Sequence, residues 1–329
     1  MDLLHESSAG ALVFDRGASV VELAGPDARL FLHNLCTQDV KSLQVGAGAE
    51  TFLTTAKAKV VAHGAVSCVS RQGQPVLWFD SSPGQGERIL KHFDHFLISE
   101  QVELADRSDQ LAMVRLIGPS SAAVLEQAFE GALPKLAPWH DIAKSHDGQE
   151  VVIRHHASLG LPGYDCFCAR SQVNGLRERL VAAAAVPGSE AMHEVLRVEA
   201  GWPVYPQDMD ENRFAVEVGR ITQAICYTKG CFLGQEPIVM ARDRGQVNRM
   251  LMGVLCGAGP ALVAGTKLYQ GEAEVGSVTS SVVSSRLGQA IALAYLRRGN
   301  QEPGMKLTVE PASAGRTVVV SALPFSSVG

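Results

Sequence analysis

Cys231 stands between two glycines, Gly230 and Gly234, with Lys229 two positions upstream, in Tyr227-Thr228-Lys229-Gly230-Cys231-Phe232-Leu233-Gly234-Gln235-Glu236. Glycine admits backbone turns closed to other residues, so this segment reads as a sharp, exposed loop. An ammonium near the sulfur favours the thiolate, the form that attacks electrophiles or binds metal. The competing reading is an inert buried thiol, because free cysteine is among the most buried residue types.

The remaining reactive residue types give weaker patterns. Cys166 and Cys168, two apart in YDCFCAR, fall on one face of a strand, either as core thiols or as part of a metal site that lacks further ligands. Cys36, Cys68, Cys226 and Cys256 are isolated and read as packing residues. His92 and His95 are three apart on a helical stretch without an acidic partner motif, which reads as a solvated face, and His155-His156 alternates across a strand. No metal centre is expected from them. Asp208, Asp210 and Glu211 lack the calcium-loop spacing and read as a polar loop. Arg242, Arg244 and Arg249 suit either an anion clamp or exposed cations at a domain junction. Gly84 and Gly86 lack the third glycine of a dinucleotide loop, and neither a Walker A pattern nor a Gly-x-Ser-x-Gly elbow occurs.

These residues must be positioned by elements that the pattern outlines. Val20 to Leu35 (VVELAGPDARLFLHNL) and Val114 to Phe129 (VRLIGPSSAAVLEQAF) both read as a β-branched run, Gly-Pro, then a helix, which suggests a duplicated unit. Asp27 and Ser120 are placed to cap the two helices. Glu50 to Phe79 alternates as strands, Gly86 to Leu97 has helical spacing with Ile89, Leu90, Phe93 and Leu97 on one face, and Gln149 to His155 and Gly163 to Ala169 read as strands. Val173 to Ala185 and Ser189 to Gly201 read as helices. Without a regular βαβ rhythm, the fold class is α+β. From about Gly245 onward, short strand candidates and Gly/Ser turns point to a small β-barrel or sandwich.

With 329 residues, two or three packed domains are expected. The chain is 46% hydrophobic and 19% charged, which suits a soluble globular protein. A net charge of −5, without basic runs, argues against direct nucleic-acid binding. Met1 to Gly10 carries Asp2 and Glu6 and leads into no export or membrane-spanning segment, so a cytoplasmic protein without a membrane partner is expected. Seven cysteines, an odd number, fit reduced thiols.

KGCFLGQE (Lys229 to Glu236), followed by MARDRGQVNRMLMGV, resembles the signature stretch of the YgfZ family, relatives of the glycine-cleavage T-protein that support iron–sulfur enzymes. Phe232 stands where many members carry Tyr. The resemblance extends to LRVEAGWPVYPQDMDE, LPGYDCFC and AGPDARLFLHNLCTQDV, nearly the whole chain. It implies a T-protein-like fold with two interleaved αβ lobes in residues 1–245, roughly 1–48 with 110–185 and 49–109 with 186–245. A C-terminal β-barrel, 246–329, then completes a central channel holding tetrahydrofolate or a derivative.

The resemblance also implies roles. Asp165 takes the place of the pterin-binding carboxylate, whose oxygens suit the ring's N–H donors. His193 falls where relatives place a ligand-contacting Arg or Trp, and Arg197 joins it at the cofactor. Gly230, Phe232, Gly234, Gln235, Glu236 and Arg242 support the motif. Cys231, primed by Lys229, is expected to act on a sulfur, iron or one-carbon species, with iron–sulfur assembly proteins or cluster-dependent enzymes as partners and tRNA thiomethylation as an indirect beneficiary. True aminomethyltransferases share a Gly-Gly-x-x-Asp-Asp segment; the matching stretch here, Ala58 to His63, has no carboxylate. Aminomethyl transfer is therefore the alternative function, and a non-catalytic adaptor a third.

Overall fold

In the computed structural model, which describes residues 10–71, 73–156, 158–245, 247–311 and 315–325, both similar stretches form as strand, glycine turn and helix. Asp2 and Glu6 lie outside the described residues. The chain runs through β1 (Leu12–Arg16), β2 (Ser19–Ala24), α1 (Ala28–Leu35), β3 (Ala47–Thr54), β4 (Val60–Arg71), β5 (Gln74–Ser81), α2 (Gly86–Phe96) and β6 (Glu103–Asp106). It continues through β7 (Leu111–Ile117), α3 (Ser121–Ala128), β8 (Asp141–His146), β9 (Gln149–His155), β10 (Gly163–Ala169), α4 (Val173–Ala182) and β11 (Val186–Pro187).

The glycine in each repeat is obligatory. Gly25 has φ 111° and Gly118 φ 133°, and a Cβ there would fall 2.3 Å from the Gln101 carbonyl and 2.2 Å from the Gly10 carbonyl. No L side chain fits. The expected caps do not form: neither Asp27 nor Ser120 gives a side-chain bond to its helix, and Asp27 Oδ2 instead accepts from the Gln101 amide at 2.7 Å.

The chain interleaves two sheets. One has the order β11-β1-β7-β10-β9-β8 and the other β3-β4-β5-β2-β6. The lobe boundary differs from the expected one. β2 pairs antiparallel with β5 and β6, and α1 buries Phe31, Leu32 and Leu35 against Leu53, Val66, Phe79, Ile89 and Phe93. Residues 19–48 therefore belong with the second sheet rather than with the first lobe. Each apolar side chain so buried contributes about 1.5–3 kcal/mol.

Two compact units contain these elements. The first takes residues 1–157, 161–189 and 222–235; the second takes 158–160, 190–221 and 236–329. The segment 190–221, expected in a lobe, thus groups with the barrel, for a reason visible in the strands. The second unit holds α5 (Glu190–Glu199), β12 (Arg249–Gly257), β13 (Lys267–Gln270), β14 (Ala273–Ser284), β15 (Gln289–Arg297), β16 (Lys306–Thr308) and β17 (Thr317–Ser321). The six strands close as β12-β15-β14-β13-β16-β17, so no edge is left open. On β15, Ala290, Ala292, Ala294 and Leu296 face the barrel interior, while Ile291, Leu293 and Tyr295 pack outward with Val198 of α5. Burial on both faces makes this strand a continuous apolar run and ties α5 to the barrel.

His92 does not join a solvated face: its ring lies 5.2 Å from that of Phe96, and burial pushes its pKa down to about 4. His95 is exposed. No helix among the described residues is long and apolar enough to cross a membrane.

Candidate functional site

The octapeptide loop is built onto the C-terminal end of α1. A helix leaves its last carbonyls without internal partners, and a cation placed there satisfies them and complements the helix dipole. Lys229 does this: its Nζ donates to His33 O, to Cys36 O at 2.8 Å and to Gln38 O at 2.8 Å. Its ammonium also lies 5.0 Å from the Phe232 ring centroid, a cation–π contact. The residue is 8% exposed, and burial lowers its pKa.

The rest of the loop is pinned by the main chain. Cys226 N donates to Thr37 O at 2.9 Å, Leu233 N to Asn34 O at 2.8 Å, and Thr54 Oγ1 to Leu233 O at 2.7 Å. Gly234 has φ 83°, and a Cβ there would lie 2.6 Å from both Thr54 Oγ1 and Thr55 O. It has no substitute. Gly230 needs no such freedom; its nearest neighbour would be His33 Nε2 at 3.8 Å. Phe232 is buried at 7% exposure.

Cys231 is exposed, Cys226 is half-buried, and Cys36, Cys68, Cys166, Cys168 and Cys256 are buried. The inert-core reading of Cys231 is therefore excluded. No hydrogen bond runs from Lys229 to the Cys231 sulfur: a lysine has three N–H donors, and all three here serve carbonyls. The thiols that act on its charge are Cys36 and Cys226. Its task is to hold the loop. Gln235 and Glu236 open α6, whose first turn carries Glu236 and whose last turn carries Arg242 and Arg244, both favoured by the dipole; α6 spans Gln235–Arg244. Arg242 Nε donates to its exposed neighbour Asp243 at 2.7 Å, which fits an exposed cation better than a clamp.

Of the three residues carried over to the cofactor, Asp165 and Arg197 are engaged within the protein. Asp165 on β10 has no exposed surface. Its Oδ1 accepts from Arg115 Nε at 2.7 Å, and its Oδ2 from Arg115 Nη2 at 3.2 Å and Arg154 Nη2 at 3.1 Å. Burial opposes its ionisation, but Arg115, His156 and Arg154 overcome this and hold the carboxyl well below the usual range. Arg154 also reaches across to the other sheet, with Nη2 at 2.8 Å from Asp80 Oδ2 and Nη1 at 3.2 Å from Ser67 Oγ. Asp165 is thus part of the charge network that joins the two sheets.

Arg197 on α5, 1% exposed, engages all five of its N–H donors. They go to both Glu194 oxygens, Trp202 O at 2.8 Å, Asp208 Oδ2 at 2.6 Å and Ser280 Oγ at 2.8 Å. Asp208, read from sequence as part of a polar loop, is fully buried and accepts also from Val204 N, Thr279 Oγ1 and Ser280 Oγ. His193 is buried at 2% exposure on the same helix. Asp165 lies in the first unit, and His193 and Arg197 lie in the second. Asp165 and Arg197 spend their polar atoms on neighbours within the protein.

The stretch from Ala58 to His63 holds a different surprise. It has no carboxylate of its own, yet β3 supplies one: Glu50 Oε1 lies 2.8 Å from His63 Nε2. The pair is 1% and 5% exposed, and the His63 ring stacks on Phe52 at 4.7 Å between centroids. Ala58 adopts φ 57°, a conformation that glycine takes without strain. Glu50 was missed because its partner is thirteen residues away on the next strand; the only local signal was an acidic residue inside an otherwise apolar and hydroxyl-bearing strand.

Residues 10–224 match the GCVT N-terminal domain, and residues 249–326 match the glycine cleavage T-protein C-terminal barrel domain. The chain is 30% identical over 278 residues to an aminomethyltransferase of Rubrobacter xylanophilus, covering 84% of this chain and 73% of that one. It is 24% identical to a putative chloroplastic transferase of Arabidopsis thaliana, covering 95% and 72% respectively. The crystal structure of glycine cleavage system aminomethyltransferase T from Bartonella henselae superposes with a TM-score of 0.87 at 18% identity, over 98% of this chain and 88% of that one. That likeness shows the T-protein-like fold. The two domain matches, which together span most of the chain, place this protein in the aminomethyltransferase-like GCVT family.

Proposed function

We propose that this chain carries out tetrahydrofolate-dependent one-carbon transfer of the aminomethyltransferase type. The observation that carries the reading is the buried pair formed by His63, at the end of the stretch that matches the aminomethyltransferase carboxylate segment, and Glu50 of the adjacent strand β3. A histidine oriented by a carboxylate handles protons as a general acid or base. Glu50 Oε1, 2.8 Å from Nε2, fixes the orientation of the imidazole. Family membership, rather than Asp165, His193 or Arg197, supports the choice of folate; Asp165 and Arg197 are tied into buried charge networks.

The test is release of ammonia and methylene-tetrahydrofolate from purified protein supplied with glycine-cleavage partners, alongside calorimetric titration with tetrahydrofolate. Turnover that falls roughly a hundredfold or more in His63→Gln, with folate binding kept, supports the reading. Folate heat without turnover, or neither, sinks it. A second reading, a folate-binding accessory factor for iron–sulfur assembly proteins or cluster-dependent enzymes of the cytoplasm, is favoured by the exposed Cys231. Full support of a cluster-dependent tRNA thiomethylase by Cys231→Ser would remove it.

A further inference from the structure

A cavity of about 320 Å³ opens in the first unit between α1 and the chain that follows α2. Leu30, Phe31, Leu35 and Phe96 give it an apolar lining, and Asp27 and Glu100 stand among the residues around it. Leu30 is 47% exposed, and nearby Ile98 is 90% exposed, so large apolar side chains meet water here. An apolar lining open to water suits the apolar side chain of a bound partner.

The two carboxylates are fixed. Asp27 Oδ2 accepts from Gln101 N at 2.7 Å, and Glu100 Oε2 from Ile98 N at 3.1 Å and Ser99 N at 3.0 Å. These main-chain donors hold Glu100 below the usual carboxylate range. Neither carboxylate has a cationic partner among the described residues. Arg29, two positions from Asp27, turns away to Leu43 O and to Cys68 Sγ at 3.1 Å, and Lys91 pairs with Glu87 at 2.7 Å. The cavity therefore combines an apolar interior with uncompensated, immobile negative charge.

We propose that this cavity docks a segment of a partner protein in which a large apolar side chain is flanked by lysine or arginine. The interior takes the apolar side chain, and the fixed carboxylates select the neighbouring cations. The same charges repel nucleic-acid phosphates and anionic lipid surfaces. Asn34 also lines the cavity, while its carbonyl takes the Leu233 N–H of the Cys231 loop at 2.8 Å. A segment bound here sits within the length of α1, roughly 12 Å, of that loop. The inference does not depend on folate or on catalysis.

The experiment uses the full chain without folate and two fluorescent synthetic peptides, one with leucine and phenylalanine between lysines and its glutamate counterpart. Anisotropy should show saturable binding of the lysine peptide alone, weakened by added salt. Asp27→Asn and Glu100→Gln keep the acceptor oxygens for Gln101, Ile98 and Ser99, so the loop stays built. Together they should weaken the lysine peptide roughly tenfold, and Leu30→Ser should weaken it further. Equal binding of both peptides, no binding of either, or an affinity unchanged in the double variant overturns the proposal. So does a dimer in sedimentation that Leu30→Glu dissociates, since the face would then be covered by a second copy.

Discussion

Replacing Arg197 by Met separates the two roles that this arginine has been given. If it is structural, its loss leaves Asp208, fully buried, without its charge partner 2.6 Å away, and leaves Trp202 O and Ser280 Oγ each short of a donor. Removing one member of a buried ion pair costs about 3–5 kcal/mol, because the other charge stays desolvated. The second unit has about 130 residues, so each kcal/mol lowers its Tm by roughly 3–4 °C, and a fall of roughly 10–15 °C is expected. Differential scanning calorimetry reads it directly. Asp208→Leu combined with Arg197→Met removes both charges and should regain at least about 1.5 kcal/mol relative to the sum of the single variants. The reasoning is refuted if Arg197→Met shifts Tm by less than about 3 °C. It is refuted equally if Arg197→Lys leaves Tm unchanged and selectively abolishes tetrahydrofolate binding.

Four further expectations follow from the same geometry. In the native protein Cys231 should react fastest with a thiol reagent, Cys226 more slowly, and the five buried cysteines only after unfolding, which a timed titration with and without denaturant reads. Lys229→Met should destabilise by about 2–4 kcal/mol, because the carbonyls of His33, Cys36 and Gln38 lose their ammonium donor and Gln38 O keeps only the weak Cys36 S–H, and Gly234→Ala by about 1–3 kcal/mol through a forced left-handed conformation and contact with Thr54 and Thr55; urea denaturation should show both. Acid should loosen the first unit: burial holds His92 near 4 and His156 near 3 against 6.5 when unfolded, so as pH falls below about 6.5 the unfolded chain takes protons that the folded chain refuses. Asp141, lifted by burial to about 6 from 3.8, acts in the opposite sense over that range. His92→Phe should therefore flatten the loss of stability between about pH 6.5 and pH 4 in a thermal melt series.

Asp208, Lys229 and Glu50 show where reading along the chain stops. Asp208 sits in QDMDEN, which by composition is a loop, yet its carboxylate is the hub for residues of α5 and of β14, more than seventy positions downstream. Lys229 is two residues from Cys231, but its ammonium is drawn to the end of α1, nearly two hundred positions upstream, where helix carbonyls await a donor. Proximity in sequence says little about where a long, flexible side chain ends.

The strand–Gly–helix repeats, the alternation of β9 and β10, the helix at α2 and the change of character at the barrel were set by the sequence itself. They follow from side-chain period and from glycines whose φ no other residue adopts, both of which act over a few residues. Tertiary structure alone decided that β2 and α1 join the second sheet, that Asp165 and Arg197 turn inward to charged neighbours, and that Glu50 meets His63. Those outcomes depend on which distant donors and acceptors arrive at the same buried place, and a buried polar group takes whichever partner folding brings to it.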